Sequence, residues 1–207
     1  MDLAAISGAV LAGGRSFRMG ADKAGLLLNG KPFLQIQAEK LAGAGIKDIL
    51  ICCGRSEEVQ HLAESIRLSG GAAVRTVKDE APGLGPLEGI RTALSASANQ
   101  LCFILSVDAV LLKPQTIRRL ADLAEGTRSP VTLLSKGGSP EPLIGVYSKS
   151  VLAAAEDCLR SGRLAVRSLF DAHPPLLLEL PEGDLQTLNC NTPEDYETVC
   201  GIYKEQR

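Results

Sequence analysis

Residues Ala5–Lys23 read AISGAVLAGGRSFRMGADK, a short apolar run followed at once by a loop of glycines and cations. The run Ile6–Leu11 has the length and apolar character of a buried strand. The loop holds Gly13, Gly14 and Gly20 with Arg15, Arg18 and Lys23, more backbone freedom and more positive charge than a plain turn requires. Glycines let a backbone turn sharply and present N–H groups to an anion. Arginine and lysine balance negative charge by bidentate and point contacts. A phosphate group fits this loop; a glycine turn with solvated basic residues is the plain alternative. The spacing matches neither G-x-G-x-x-G nor G-x-x-x-x-G-K-[ST], which sets aside a dinucleotide fingerprint and a P-loop.

The same strand-then-helix rhythm continues outward from this stretch. Strands are predicted at Ile6–Leu11, Asp48–Cys52, Ala73–Val77, Leu101–Val107, Val131–Leu134, Leu143–Tyr147 and Leu176–Leu180. Helices are predicted at Phe33–Gly43, Glu57–Leu68, Pro86–Ala96, Pro114–Ala124, Lys149–Ser161, Ala165–Ala172 and Pro193–Tyr203. The last opens on NTPED, with Thr192 as N-cap, Pro193 at the first helical position and acids in the first turn. Alternating strands and helices predict an α/β, three-layer, Rossmann-like fold around a mostly parallel sheet. With no repeat or linker, one domain over 1–207 is expected. Of the 207 residues 45% are hydrophobic and only 3% aromatic, so the core is aliphatic, as in buried parallel sheets.

Composition narrows the function. A net charge of −2 leaves no basic footprint for nucleic acid. The six cysteines form no C-x-x-C pair and no zinc spacing with His61 or His173, so reduced structural thiols are expected. No apolar run reaches about 18 residues and no signal-like segment is seen, so the expectation is a soluble cytoplasmic protein without membrane partners.

Ligands of open α/β sheets bind at the carboxyl ends of the strands. Asp79, in VKDEAPGLGPLEGI, closes the third strand and is either a carboxylate facing a base edge or a solvated acid. Asp108, in LCFILSVDAVLL, ends a buried strand within apolar sequence, where an acid is costly unless paired or bound to a cation. Magnesium takes one or two carboxylates plus phosphate oxygens; a turn aspartate is the alternative. Asn189 and Asn191, in TLNCNTPEDY, serve either as caps or as neutral ligands to a metal or phosphate, Asn191 being the candidate metal ligand.

Taken together, LAGGRSFRMGADK, LNGKPFL, DEAPGLGPLEGI, SVDAVLL, EPLIGVYSKS and NCNTPED resemble the molybdenum cofactor guanylyltransferases, over about Gly8 to Asp195. GPLEGI with NTPED narrows the match beyond nucleotidyltransferases at large. The resemblance implies a nucleotidyltransferase fold and transfer of GMP from GTP onto the phosphate of molybdopterin, with release of pyrophosphate. It implies that Leu11, Ala12 and Gly13, with Gly14 beside them, contact the nucleotide. Lys23 would hold its phosphates, Arg18 the triphosphate, Asp79 part of the nucleotide site and Asp108 a Mg²⁺ ion. Other cofactor-assembly or molybdoenzyme-maturation proteins are implied as partners. Two positions depart from the family pattern: Val110 replaces a proline, and Gly54 stands where relatives can place an asparagine.

An acceptor phosphate is already an anionic nucleophile, so catalysis reduces to positioning and charge neutralisation by Lys23, Arg18 and a metal on Asp108. Lys136, Arg163 and Arg167 are candidates for the acceptor. Arg163 and Arg167, four apart, are expected on one helix face, meeting the molybdopterin phosphate; a solvated basic face is the alternative. The competing functions are a cytidylyl- or sugar-nucleotidyltransferase on the same scaffold, and a non-catalytic nucleotide-binding homologue.

Overall fold

The computed structural model describes residues 3–13, 22–81 and 83–205. In chain order its elements are β1 (Ile6–Leu11), β2 (Leu27–Leu28), β3 (Lys31–Pro32), α1 (Phe33–Ala44), β4 (Asp48–Cys52) and α2 (Glu57–Ser65). Then come β5 (Ala73–Val77), α3 (Pro86–Ala96), β6 (Leu101–Ser106), α4 (Pro114–Thr127) and β7 (Val131–Lys136). The chain continues with β8 (Ser139–Ser148), α5 (Leu152–Arg160), β9 (Leu176–Glu179) and α6 (Pro193–Glu205).

Seven strands form one sheet in the order β5-β4-β1-β6-β8-β7-β9. Strand β1 is parallel to β4 and β6, β4 to β5, and β7 to β9, whereas β8 is antiparallel to both β6 and β7. The sheet is thus mostly parallel, with one reversed strand. That reversal comes from a hairpin: Gly137 and Gly138 join β7 to β8 with φ of 57° and 73°. Such a pair of left-handed residues makes the tight turn whose twist suits a hairpin.

The sheet divides the core into two apolar layers. Alternate residues of β1 and β6 face opposite ways: Val10, Phe103 and Leu105 pack in one cluster with residues of α1 and α4. Ala9, Cys102 and Ile104 pack in the other with residues of α3 and α5. This is the period-2 alternation of a sheet covered on both faces. All six cysteines are free, and only Cys200 is not buried. Burial pushes the thiols of Cys52 and Cys102 up, so both remain protonated.

Local differences separate the sequence reading from the structure, among them a predicted strand Leu143–Tyr147 that is part of the longer, reversed β8. The sequence LNGK makes an unanticipated β2–β3 hairpin, with Asn29 and Gly30 at φ of 51° and 79°. The expected helix Glu57–Leu68 ends at Ser65. The expected helix Ala165–Ala172 is only a 3-10 turn, Val166–Leu169, in a segment soon closed by Pro174 and Pro175. Among the described residues, no helix is long and apolar enough to cross a membrane.

Candidate active site

The carboxyl ends of β1 and β4 close on each other backbone to backbone. Ala12 N–H donates to the Cys52 carbonyl at 2.9 Å. A Cβ placed on Gly13 would meet Gly54 N at 3.0 Å and Gly54 Cα at 3.1 Å, so this contact favours glycine. Gly54 itself lies at φ 58°, a left-handed conformation that glycine adopts freely and asparagine tolerates. Leu11, Ala12 and Gly13 therefore line the start of the loop after β1. Gly14 and Arg18, with Arg15 and Gly20, lie outside the described residues.

Three residues distant in sequence meet at the end of β6. Lys23 Nζ donates to Asp108 Oδ2 at 2.7 Å and to Asn191 Oδ1 at 2.7 Å. Each is held from behind. Lys23 opens a 3-10 turn whose N-cap, Asp22, accepts from Ala24 N–H at 3.0 Å. Ser106, the last residue of β6, donates its hydroxyl to Asp108 Oδ1 at 2.5 Å. Asn191 precedes the α6 cap, where Asp195 accepts from the N–H groups of Asn191 and Thr192, both at 2.9 Å. Thr192 Oγ1 in turn accepts from Asp195 N–H at 3.1 Å, a reciprocal cap that makes Thr192 the predicted N-cap. Those backbone donors hold the Asp195 carboxyl below its ordinary value. The Lys23 and Asp108 side chains are only 17% and 12% exposed, so their pairing is shielded from bulk water.

Beside this trio opens a cavity of about 450 Å³, lined among others by Ser106, Asp108, Asn189, Asn191, Glu141 and Arg167. Asn189 Oδ1 is buried without a hydrogen-bond partner, an unmet acceptor of the kind a ligand satisfies. Val110 is buried within the Asp108 turn, and its carbonyl accepts from Lys40 Nζ. Among the described residues no three His, Cys, Asp or Glu side chains cluster as a metal site. A cation here would rest on Asp108, amide oxygens and ligand oxygens.

Asp79 occupies the end of β5, with its N–H donating to the Gly54 carbonyl at 3.4 Å. Its Oδ1 is buried and unpartnered. Burial foremost, then the charge of Glu88, raises its carboxyl above the ordinary value, with Thr92 and Arg91 acting the other way. The following loop is tied to α3 by a network absent from the sequence reading. Arg91 grips Glu88 in a fork of 2.7 and 3.1 Å and reaches Glu80 at 3.2 Å, while Glu88 accepts from Ala81 N–H at 3.1 Å. The signal was an acid and an arginine three apart inside GPLEGIR.

The two acceptor arginines do not share a helix face. Gly162 turns the chain at φ 73° after α5. Arg163 then stands in that turn, donating to Ser161 Oγ at 3.2 Å. Arg167 belongs to the separate Val166–Leu169 turn and lines the cavity, so spacing alone misplaced the pair. Lys136 is spent on the Asp184 carbonyl at 2.8 Å. Ser106 and Glu141, absent from the sequence candidates, are brought to the cavity by the ends of β6 and β8.

Residues 8–176 match the family model of the MobA-like NTP transferase domain. The chain is 34% identical over 205 residues to a probable molybdenum cofactor guanylyltransferase of Carboxydothermus hydrogenoformans, covering 94% of this chain and 95% of that one. It is 35% identical to a protein of the same description from Opitutus terrae, over 92% and 93% of the two chains. Its fold superposes with a TM-score of 0.80 on molybdopterin-guanine dinucleotide biosynthesis protein A from Archaeoglobus fulgidus, at 21% identity over 96% and 99% of the chains. The chain belongs to the MobA-like NTP transferases, in the family of the molybdenum cofactor guanylyltransferases.

Proposed function

We propose that this protein transfers GMP from GTP to the phosphate of molybdopterin, releasing pyrophosphate and forming the guanine dinucleotide cofactor. The observation that carries this reading is the meeting of Lys23, Asp108 and Asn191 at the mouth of the cavity. A cavity of about 450 Å³ falls within the ~300–1,000 Å³ usual for small-molecule sites.

In the reaction an acceptor phosphate oxygen forms a bond to the α-phosphorus of GTP, and the bond from that phosphorus to the bridging oxygen of pyrophosphate breaks. The nucleophile is ionised already. His61 and His173 do not line the cavity, in keeping with a step that needs no general base. Leu11, Ala12, Gly13 and Gly14 offer backbone to the nucleotide, and Asp79 accepts from the guanine N–H groups with its unpartnered oxygen. Lys23 neutralises triphosphate charge, joined by Arg18, and Arg167 serves the acceptor.

Mg²⁺ fits the donor set. One carboxylate, Asp108, stands with Asn191 Oδ1 and the unmet Asn189 Oδ1, leaving room for phosphate oxygens as that ion prefers. When bound, the ion supplies charge neutralisation across the triphosphate. Ser106 fixes the Asp108 carboxylate, which would hold the ion, through its hydroxyl at 2.5 Å.

Calorimetric titration with GTP, CTP, UTP and ATP in Mg²⁺, followed by pyrophosphate release on adding molybdopterin, tests the reading. Preference for GTP, weakened in Asp79→Ala, with pyrophosphate released only when acceptor is present, is expected. Preference for CTP or UTP would move the protein to the cytidylyl- or sugar-nucleotidyltransferase alternative.

A further inference from the structure

Strand β8 breaks register beside the cavity. Gly145 lies opposite Leu133 on β7, yet Leu134 lies opposite Glu141. The segment Pro142–Ile144 is therefore extra on the β8 side, a bulge. Strand β6 pairs with β8 only as far as Leu105 opposite Ile144. Glu141 and Pro142 thus run past the end of β6, beside the cavity, with Glu141 back in the ladder with β7. Bulges next to active sites serve to re-aim a side chain.

This bulge is built from named residues. At Gly145 a Cβ would stand 2.3 Å from the Thr132 carbonyl oxygen, so only glycine lets β7 press against the kink. Tyr147 is fully buried and donates its hydroxyl to the Pro142 carbonyl at 2.6 Å, clamping the far side. Burial pushes that phenol far up, so it remains a donor. Pro142 has no N–H to leave unpaired. The sequence EPLIGVY reads as one device whose outcome is the placement of Glu141.

The Glu141 carboxylate lines the same cavity as Asp108 and Arg167, and its oxygens make no hydrogen bond among the described residues, although the charges of Arg167 and then Lys136 lie within electrostatic reach of it. A carboxylate accepts hydrogen bonds and donates none. In the guanylyl-transfer reading the acceptor's phosphate lies beside the triphosphate, at the Lys23–Asp108 end of the cavity. It is repelled from Glu141. The end of the acceptor that reaches Glu141 must therefore present N–H groups, and in a pterin these are the 2-amino group and the adjacent ring N–H. Two parallel N–H donors match the two oxygens of one carboxylate.

We propose that Glu141 is the acceptor-specificity residue, taking paired hydrogen bonds from the aminopyrimidinone edge of the pterin while Arg167 meets an anionic part of the same molecule. This rests on the guanylyl-transfer reading for the acceptor's identity.

The test uses 6-hydroxymethylpterin monophosphate and its lumazine counterpart, in which a carbonyl replaces the 2-amino group. Binding is followed by ring fluorescence on wild type, Glu141→Gln and Glu141→Ala, with GTP calorimetry on each as the check of folding. Wild type is expected to bind the pterin at least about 10-fold tighter than the lumazine. Glu141→Gln is expected to lose about 10- to 100-fold in pterin affinity, together with the preference, and to keep its GTP affinity. Equal binding of the two rings by wild type, binding of neither, or unchanged pterin affinity in Glu141→Gln overturns the assignment. Failure of guanylyl transfer itself registers separately, as no pyrophosphate released from GTP by wild type with molybdopterin.

Discussion

Lys23 Nζ lies 2.7 Å from Asp108 Oδ2, an ion pair joining residues 85 positions apart in the chain. The ammonium also takes Asn191 Oδ1, so it occupies the oxygens that a divalent ion would use.

Two outcomes are expected from this competition. Asp108→Ala and Lys23→Ala fold but lose about 10²–10³ in turnover, the usual effect of removing one charge-stabilising group. Lys23→Met, in contrast, binds Mn²⁺ more tightly than wild type in the absence of nucleotide, as read by electron paramagnetic resonance. Unchanged Mn²⁺ affinity would show that the ion does not use the Asp108 oxygens.

Asp79 carries an unmet oxygen, and its carboxyl is raised above the ordinary 3.8, first by burial and then by Glu88. A raised acid favours the folded state below its unfolded pKa and loses that contribution as pH climbs through the raised folded pKa. At neutral pH the ionised group is a liability for folding. Asp79→Asn is therefore expected to melt at the same or a higher temperature than wild type while binding GTP more weakly. A lower melting temperature with intact GTP binding would make Asp79 structural.

Lys40 sits against the Val110 carbonyl on the Asp108 turn, and burial lowers its amine from 10.5 to about 7. Between those values the unfolded chain holds a proton that the folded chain has released, so stability rises with pH across that window. Below it the charged amine remains buried and its cost is fully felt. Melting curves of wild type and Lys40→Met from pH 6 to 10 test this: the mutant lacks the rise. Parallel curves would contradict it.

The bulge under Glu141 makes a packing prediction. Gly145→Ala forces a methyl to within 2.3 Å of the Thr132 oxygen and is expected to cost about 1–3 kcal/mol or more in denaturant unfolding, as overpacking does. Tyr147→Phe removes the hydroxyl bond to Pro142. It is expected to raise the acceptor KM while leaving the GTP KM unchanged. Equal shifts in both constants would mean the clamp acts on the whole site.

Much of the scaffold was legible in local pattern. The bounds of β1, β4, β5 and α3 coincide with the sequence reading, because short apolar runs and Pro-led amphipathic stretches report on burial within a few residues. The GG of the β7–β8 turn and the NG of the β2–β3 turn are hairpin signals that fall between the predicted elements, so β8 is predicted short and its reversal is not anticipated. The Arg163–Arg167 pairing failed for a different reason. Four-residue spacing carries meaning only inside a continuous helix, and Gly162 ends that helix first.

By itself the sequence determined the residue types, the strand-and-helix order and hence the edge of the sheet where ligands gather. What only the tertiary structure decided is which side chains meet there. Lys23 and Asn191 stand 168 positions apart, and their contact depends on β1 and β6 lying side by side, with α6 returning its cap to the same end. Glu141 joins them only through a register shift enforced by Gly145 and Tyr147. Periodicity records the burial of a residue among its near neighbours; juxtaposition is set by strand order and register, which many distant contacts impose together.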